Sequence, residues 1–356
     1  MNKLSIIAVL LMSLGFVSCE TDIKVNAEPT DITVVYGLID PADTVHYLKI
    51  NKAFLGDGNA LDLAADASNY DYAEGEISVT IQASNGNAYS LTRVTNEIPK
   101  NEGVFDNTTN VLYKFIEPGI NKDLTYTLKI LNSGLDKEIT AVTKIIGSSS
   151  VATPKVTNTL SFWSGGVSSG KYVSETVSIS TGENIGRIQA YIAFNYIEHY
   201  TLASALAPVS KKVIINLGEE KVANSSSGKL NYLLKGQAFF DNIIAKVPNP
   251  SGMTNFSHRE LDNISIEFSV AGSELNTFME AEAPSTTVNQ NKPSYTNITN
   301  GIGIFSSRSY DDTWRSNKSA STGLNMDTDT KRYLASLGLG FCLGTNATAT
   351  SPCNQL

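Results

Sequence analysis

The strongest constraint on the fold is a period of two. In residues 124–131, Leu124, Tyr126, Leu128 and Ile130 alternate with Thr125, Thr127 and Lys129, the spacing that turns one face of a β-strand towards a core. Runs rich in β-branched and aromatic residues recur at 31–39, 44–52, 76–83, 88–94, 112–117 and 138–145. The breaks between them carry turn chemistry. Asp40-Pro41-Ala42-Asp43 follows the first run, and Asn85-Gly86 separates the third from the fourth as a hairpin signal. Seven short strands punctuated in this way predict an immunoglobulin-like β-sandwich over residues 30–146.

Small residues at 147–150, with Pro154 beyond them, mark 147–155 as a linker. Residues 156–356 then read as an α+β domain. Strands are expected at 172–180, 188–196, 209–217 and 263–271, and bulk on both faces of 188–196 suits a central strand. The period changes in 236–247, where Phe239, Phe240, Ile243, Ile244 and Val247 recur at three and four, so a helix is expected, stopped by Pro248. A second helix over 273–281 has Ser273 as its expected cap. A third, over 329–337, has Asp329 as cap and Gly338 just past its end. The whole chain is therefore expected to be mainly β: a sandwich followed by an α+β domain with an antiparallel sheet and a few short helices.

The first residues predict where the chain goes. Lys3 precedes an apolar run over 4–17, and Ser18-Cys19 follows, so residues 1–18 read as a signal peptide. A cysteine directly after the small residue makes this a lipobox, with Phe16 where Leu is usual. Cys19 would take the lipid, and residues 19–29 would form a tether. Several acyl chains, at about 0.8 kcal/mol per buried CH₂, hold a protein on a membrane without a spanning helix. Glu20 and Asp22, just behind the lipid site, resemble the signal that sends Bacteroidetes lipoproteins to the outer face of the outer membrane. The expected location is thus the outer membrane, lipid-anchored and surface-exposed. Of the three cysteines, Cys342 and Cys353 remain as an even pair in an oxidising compartment. A disulfide between them would contribute about 2–3 kcal/mol.

No catalytic or cofactor motif stands out along the chain. Charged residues make up 17% of it and the net charge is −8, with no basic patch interleaved with aromatics, so nucleic acid is not an expected partner. His46, His199 and His258 are far apart and fit no metal-ligand spacing. His46 reads as a strand side chain. Glu198 and His199 would face opposite sides of a strand, and His258-Arg259-Glu260 reads as a solvated turn. No Gly-x-Ser-x-Gly elbow or Walker loop is present, and Gly301-Ile302-Gly303 lacks a Rossmann setting, so no cofactor is expected. Asp57, Asn59, Asp62, Asp66 and Asp71 could wrap Ca²⁺ but lack the EF-hand order; a solvated loop is the plainer reading. Tyr70 and Tyr72 in that loop, with Phe54 and Leu55 before it, are candidates for partner contact. Asp43-Thr44-Val45 matches the short Bacteroidetes O-glycosylation pattern, with Thr44 as acceptor.

One stretch is more specific. Residues 291–308 read NKPSYTNITNGIGIFSSR. They resemble the KPxYTNIxNGxGIFxSR signature of the DUF4249 family of Bacteroidetes lipoproteins, whose function is unknown. Residues 34–56 (VVYGLIDPADTVHYLKINKAFLG) resemble the start of that family. The order of 258–262, the strand at Ile264 and the helix at Glu274 also resemble it. The resemblance implies an outer-membrane lipoprotein working beside a TonB-dependent receptor in capture of a small-molecule or oligomeric nutrient. Physically, Asn300, Gly301 and Gly303 permit a turn with positive φ and close backbone approach. Ile302, Ile304 and Phe305 would anchor it, Tyr295, Thr296 and Asn297 add hydrogen bonds, and Arg308 offers a five-donor fork. The segment is either a ligand- or receptor-facing site or a loop stapled across the domain; Gly, Phe and Arg in such loops are most often architectural. Two other functions stay open: an adhesion or envelope-structure protein, and a carbohydrate-active enzyme using an Asp/Glu pair.

Overall fold

The structure, a computed structural model, describes residues 32–53, 59–103, 105, 108–222, 227–283, 294–312 and 323–342. Cys19, Cys353, Phe54, Leu55 and Asp57 lie outside these residues. The chain is mainly β, with several antiparallel sheets and few helices.

Strands β1 (Ile32–Ile39) and β2 (Val45–Ala53) form the expected antiparallel hairpin. Asp40 closes its turn by accepting from the backbone N–H of Ala42 at 2.9 Å. The short helix α1 (Ala60–Ala64) leads to β3 (Ile77–Ala83) and β4 (Ala88–Ser90), which pair around Gly86 at φ 96°. The run expected as one strand over 88–94 divides. Leu91 donates to Val79, and β5 (Thr92–Thr95) then crosses to pair with β6 (Val111–Ile116) in the other sheet. β7 (Thr125–Asn132) and β8 (Lys137–Lys144) complete the first half. β1, β2 and β6 lie in one sheet, and β3, β7 and β8 in another. Their inward residues share a single core that includes Val35, Leu48, Ile81, Phe115, Tyr126 and Leu128.

In the second half, β9 (Ser150–Thr153) takes four residues of the span expected as a linker. Gly147 packs so closely on Gly182 and Glu183 that a Cβ there would meet Glu183 N at 2.6 Å. Three short pieces follow: β10 (Thr159–Leu160), β11 (Trp163–Ser164) and β12 (Lys171–Tyr172). β13 (Ser174–Thr181) pairs with β9 and with the later segment 228–235. β14 (Ile185–Tyr200) and β15 (Val209–Lys221) form a long hairpin, and β16 (Gly228–Lys235) runs into α2 (Gly236–Lys246). Phe239, Phe240 and Ile243 of that helix are fully buried, each worth about 1.5–3 kcal/mol, while Ile244 stays half exposed, outside the expected stripe. β17 (Phe256–Gly272) lies beside β14, which is central as its two-sided bulk predicts.

α3 (Ser273–Glu282) is not capped by Ser273. Gly272 is the cap residue, and the Ser273 hydroxyl turns to Asn184 instead. β18 (Ile298–Thr299), β19 (Gly301–Asp312), β20 (Asn325–Met326), α4 (Thr328–Ser336) and β21 (Phe341–Cys342) complete the described chain. Asp327, not Asp329, caps α4 by accepting from Thr330 N; Asp329 accepts from Gly165 N at 2.9 Å. Gly338 follows that helix at φ 72°, as expected. A second core, under β14, β17 and α2, gathers Phe162, Ile188, Phe194, Phe239 and Ile266.

The two halves share one nine-stranded sheet, in which β19 lies between β1 and β17. Its residues 301–307 pair in parallel with β1, from Thr33↔Gly301 to Ile39↔Ser307. Its residues 308–312 pair antiparallel with β17. The signature thus sits in the first core, to which Ile298 and Phe305 belong, as well as in the second half of the sequence.

Candidate functional site: the cleft at the β17–β19 seam

The signature segment divides at Arg308. Between Thr296 and Ser307 most of its side chains serve the fold. Thr296 donates to Gly303 O at 2.9 Å. Asn297 clamps the backbone of Phe305, donating to its carbonyl at 2.6 Å and accepting from its N–H at 2.9 Å. Asn300 turns the chain at φ 60° and donates to Glu138 O, so β18 sits on β8 in one sheet and β19 starts in the other. A Cβ on Gly301 would meet Thr33 O at 2.7 Å, and one on Gly303, at φ 110°, would meet Val35 O at 2.0 Å. Phe305 and Ile304 are buried, but Ile302, expected as an anchor, is 45% exposed. Tyr295 is half-buried, and burial with the nearby Glu274 charge raises its hydroxyl pKa.

Arg308 differs. It falls where β19 leaves β1 and meets β17, opposite Ala271. Strand alternation places Arg308 and Tyr310 on one face of the seam and Ser309 and Asp311 on the other. Each face carries a cleft. Arg308 opens into one of about 440 Å³, whose apolar wall is Leu275 and Met279 of α3 and whose polar wall includes Asp40, Arg187, Gln189 and Ser269. The cleft behind, of about 320 Å³, is lined by Ile120, Lys122, Ser149, Phe268 and Asp311.

The two arginines of the larger cleft are not equivalent. Arg187 is held in place: its Nε donates to Asn276 at 2.8 Å and its Nη1 to Glu219 at 2.6 Å, with Glu280 at 3.6 Å. Hydrogen bonds from Lys221 and Asn276 pull the Glu280 carboxyl below its usual range. Arg308 is exposed and has Asp40 as its charged neighbour. Burial pushes the Asp40 carboxyl up, outweighing the backbone N–H groups of Ala42 and Tyr310 and the Arg308 charge, which pull it down. At the far end Tyr310 donates to Glu267 at 2.5 Å, and Lys212 pairs with the other oxygen of that carboxylate. The arrangement offers an exposed guanidinium fork, a carboxylate and amide and hydroxyl groups over a short apolar wall. Such a set grips a polar molecule by hydrogen bonds.

Other expected residues fall elsewhere. Thr44 is exposed at the β1–β2 turn. His46 stacks on Phe115 at 4.7 Å and is buried in β2. Tyr70 and Tyr72 are not partner contacts: both are buried, and Tyr72 bonds Thr33 at 2.8 Å. Asp71 turns inward to Lys49 and Asn51. Among the described residues no group of three or more His, Cys, Asp or Glu is arranged to hold a metal.

Residues 258–260 are not a solvated turn. They lie inside β17, opposite 197–199 of β14. On one face Arg259, wholly buried, donates to Glu198 at 2.8 and 3.0 Å and to Leu339 O. On the other, His199 and His258 stack in parallel at 4.4 Å, and His199 meets Glu260 at 3.1 Å. The run is too charged to resemble a strand, and a register shift at Asp262 breaks the alternation of 263–271, so Leu261 and Arg259 take the face held by Ile264 and Ile266 and no simple period reveals them. No protein-family model matches the chain, and no curated protein matches it. The resemblance of residues 291–308 therefore rests on the residues themselves.

Proposed function

We propose that the chain is a non-enzymatic binding lipoprotein of the outer membrane, held by lipid on Cys19 and exposed at the surface, that assists a TonB-dependent receptor in nutrient capture. The observation that carries the binding role is Arg308. Among the described signature residues, Arg308 lines an open cleft, whereas Thr296, Asn297 and Asn300 bond to backbone and help hold two sheets together. The ligand class that fits is a polar molecule with carboxylate or hydroxyl groups, small or part of an oligomer. The first half is read as an immunoglobulin-like sandwich, supported by two sheets around one core. That feature also favours the second reading, an adhesion or envelope-structure protein.

Three measurements separate these readings. Labelled fatty acid should enter the native protein and not the Cys19→Ala form; a Cys19→Ala form that stays fully membrane-bound counts against the anchor. Mild-detergent extraction should recover a large β-barrel receptor with the chain, and recovery of the chain alone favours adhesion. Arg308→Ala should abolish binding of whichever acidic or hydroxylated nutrient the native chain retains, with no change in melting temperature. Turnover in a glycan hydrolysis screen would point instead to a carbohydrate-active enzyme. Cys342, in β21, is proposed to pair with Cys353, as alkylation without reduction would show by mass.

A further inference from the structure

The long β14–β15 hairpin and the start of β17 form one end of the molecule, far along the sheet from Ile32. The loop over 201–208 reads Thr-Leu-Ala-Ser-Ala-Leu-Ala-Pro, and that over 248–255 reads Pro-Asn-Pro-Ser-Gly-Met-Thr-Asn. Neither holds a charged residue, and they touch: Thr201 N donates to Asn255 O at 2.8 Å. Leu202 is 81% exposed and Leu206 53%, the first being the most exposed large apolar side chain among the described residues. The loop that presents them is built, not slack. Ser204 Oγ donates to Thr201 O at 2.6 Å and accepts from Leu206 N at 3.3 Å. Ala205 takes a left-handed φ of 54°, a conformation that costs a residue with a Cβ.

Behind this tip lies a groove of about 610 Å³, where the sheet runs on past the end of α2. Tyr196, Tyr200, Pro248 and Met253 supply its apolar surface, and Lys211 and Lys246 its charges. Its acid, Glu198, is already neutralised by Arg259. A third lysine, Lys212, is paired with Glu267. In a chain of net charge −8, this end is apolar at the tip and positive at the rim.

We propose that this end docks on an anionic lipid surface, with Leu202 and Leu206 entering the acyl boundary and Lys211 and Lys246 meeting lipid phosphates. Exposed apolar side chains backed by lysines are the chemistry that an anionic interface selects. The contact goes beyond the Cys19 anchor. Ile32, where the described chain begins, lies at the opposite end of the sheet, so an anchor at Cys19 together with this contact would hold the long axis of β14 and β17 along the membrane.

Full-length protein in vesicles of phosphatidylcholine and phosphatidylglycerol, with and without brominated acyl chains, tests this. Reporters are Leu202→Trp at the tip and, as control, Leu131→Trp at an exposed site on β7, each corrected for the two native tryptophans. Lipid on Cys19 brings both reporters to the vesicle equally, so their difference reads this end alone. Quenching should be several-fold stronger at position 202. It should fall about twofold or more without phosphatidylglycerol, or with Lys211→Glu and Lys246→Glu together. Equal quenching at 202 and 131, or quenching indifferent to both lipid charge and lysine reversal, overturns the proposal. So does a tip reporter that stays in water on vesicles and is shielded only when native outer-membrane protein is added.

Discussion

At the scale of single residues, the decisive group is Arg259. Its guanidinium is fully buried and has Glu198, itself 3% exposed, as its only charged partner among the described residues. Two charges removed from water together are tolerable; one alone is not. Glu198→Gln leaves the cation buried against a neutral amide and should cost about 3–5 kcal/mol in urea unfolding. Replacing both at once, Glu198→Leu with Arg259→Met, should cost far less than the single change, and a double variant as unstable as Glu198→Gln would refute this account. On the opposite face, His258 carries a pH signature. Burial, and then the neighbouring His199, lower its pKa below 6.5, against a smaller raising effect of Glu260. The folded state therefore resists a proton that the unfolded chain accepts. Stability from this group is complete above pH 6.5 and declines as pH falls through that value towards the lowered folded pKa. His258→Gln should flatten the fall in melting temperature between neutral and mildly acid pH, and an unchanged slope would mean that other groups set it.

At the scale of elements, the β18–β19 turn is a strand that changes sheets, and its parts make separable contributions. Gly303→Ala forces a Cβ against Val35 O in a left-handed backbone and should cost about 2–4 kcal/mol. Gly75→Ala, at φ 78° but with nothing within 4 Å, meets only the backbone strain and should cost about 1 kcal/mol. Asn297→Ala leaves the Phe305 amide and carbonyl unpaired and should cost about 1–3 kcal/mol. Denaturant midpoints order the three. Alternation located the strands of the first half to within a residue or two, because each buries one face and polar residues mark the other. It cut β14 and β17 short, because their ends carry Glu198, His199, His258, Arg259 and Glu260, which are paired across strands and so need no water. It read 88–94 as one strand, because a change of sheet at Leu91 leaves the alternation intact. Arg308 stands out as a fork, but its companions in the cleft bear no local mark of it: Arg187 lies 121 positions earlier, and Asp40 lies in the other half of the chain.

At the scale of the whole molecule, the parallel pairing of β1 with β19 is what makes one body of two cores. It joins residues 33–39 to 301–307, a separation no periodicity reveals, and it places Ile298 and Phe305 in a core whose other members all precede residue 146. The first half cannot therefore be complete when it is cut at the Gly147–Ser150 stretch. Residues 30–146 alone would lose the neighbour of β1, expose the row of backbone groups that β19 satisfies, and leave a hole where the fully buried Phe305 ring sits. Deleting a buried phenylalanine alone costs about 3–5 kcal/mol, a large share of what a domain of this size holds in reserve. The isolated fragment should show little tertiary signal in near-ultraviolet circular dichroism and should aggregate through its open edge. Adding a peptide of residues 294–312 in trans should restore the signal saturably, and the same peptide with Gly303→Ala should fail to do so. A fragment 30–146 that folds cooperatively without the peptide would show that β19 is an accessory to the first sheet and not one of its strands.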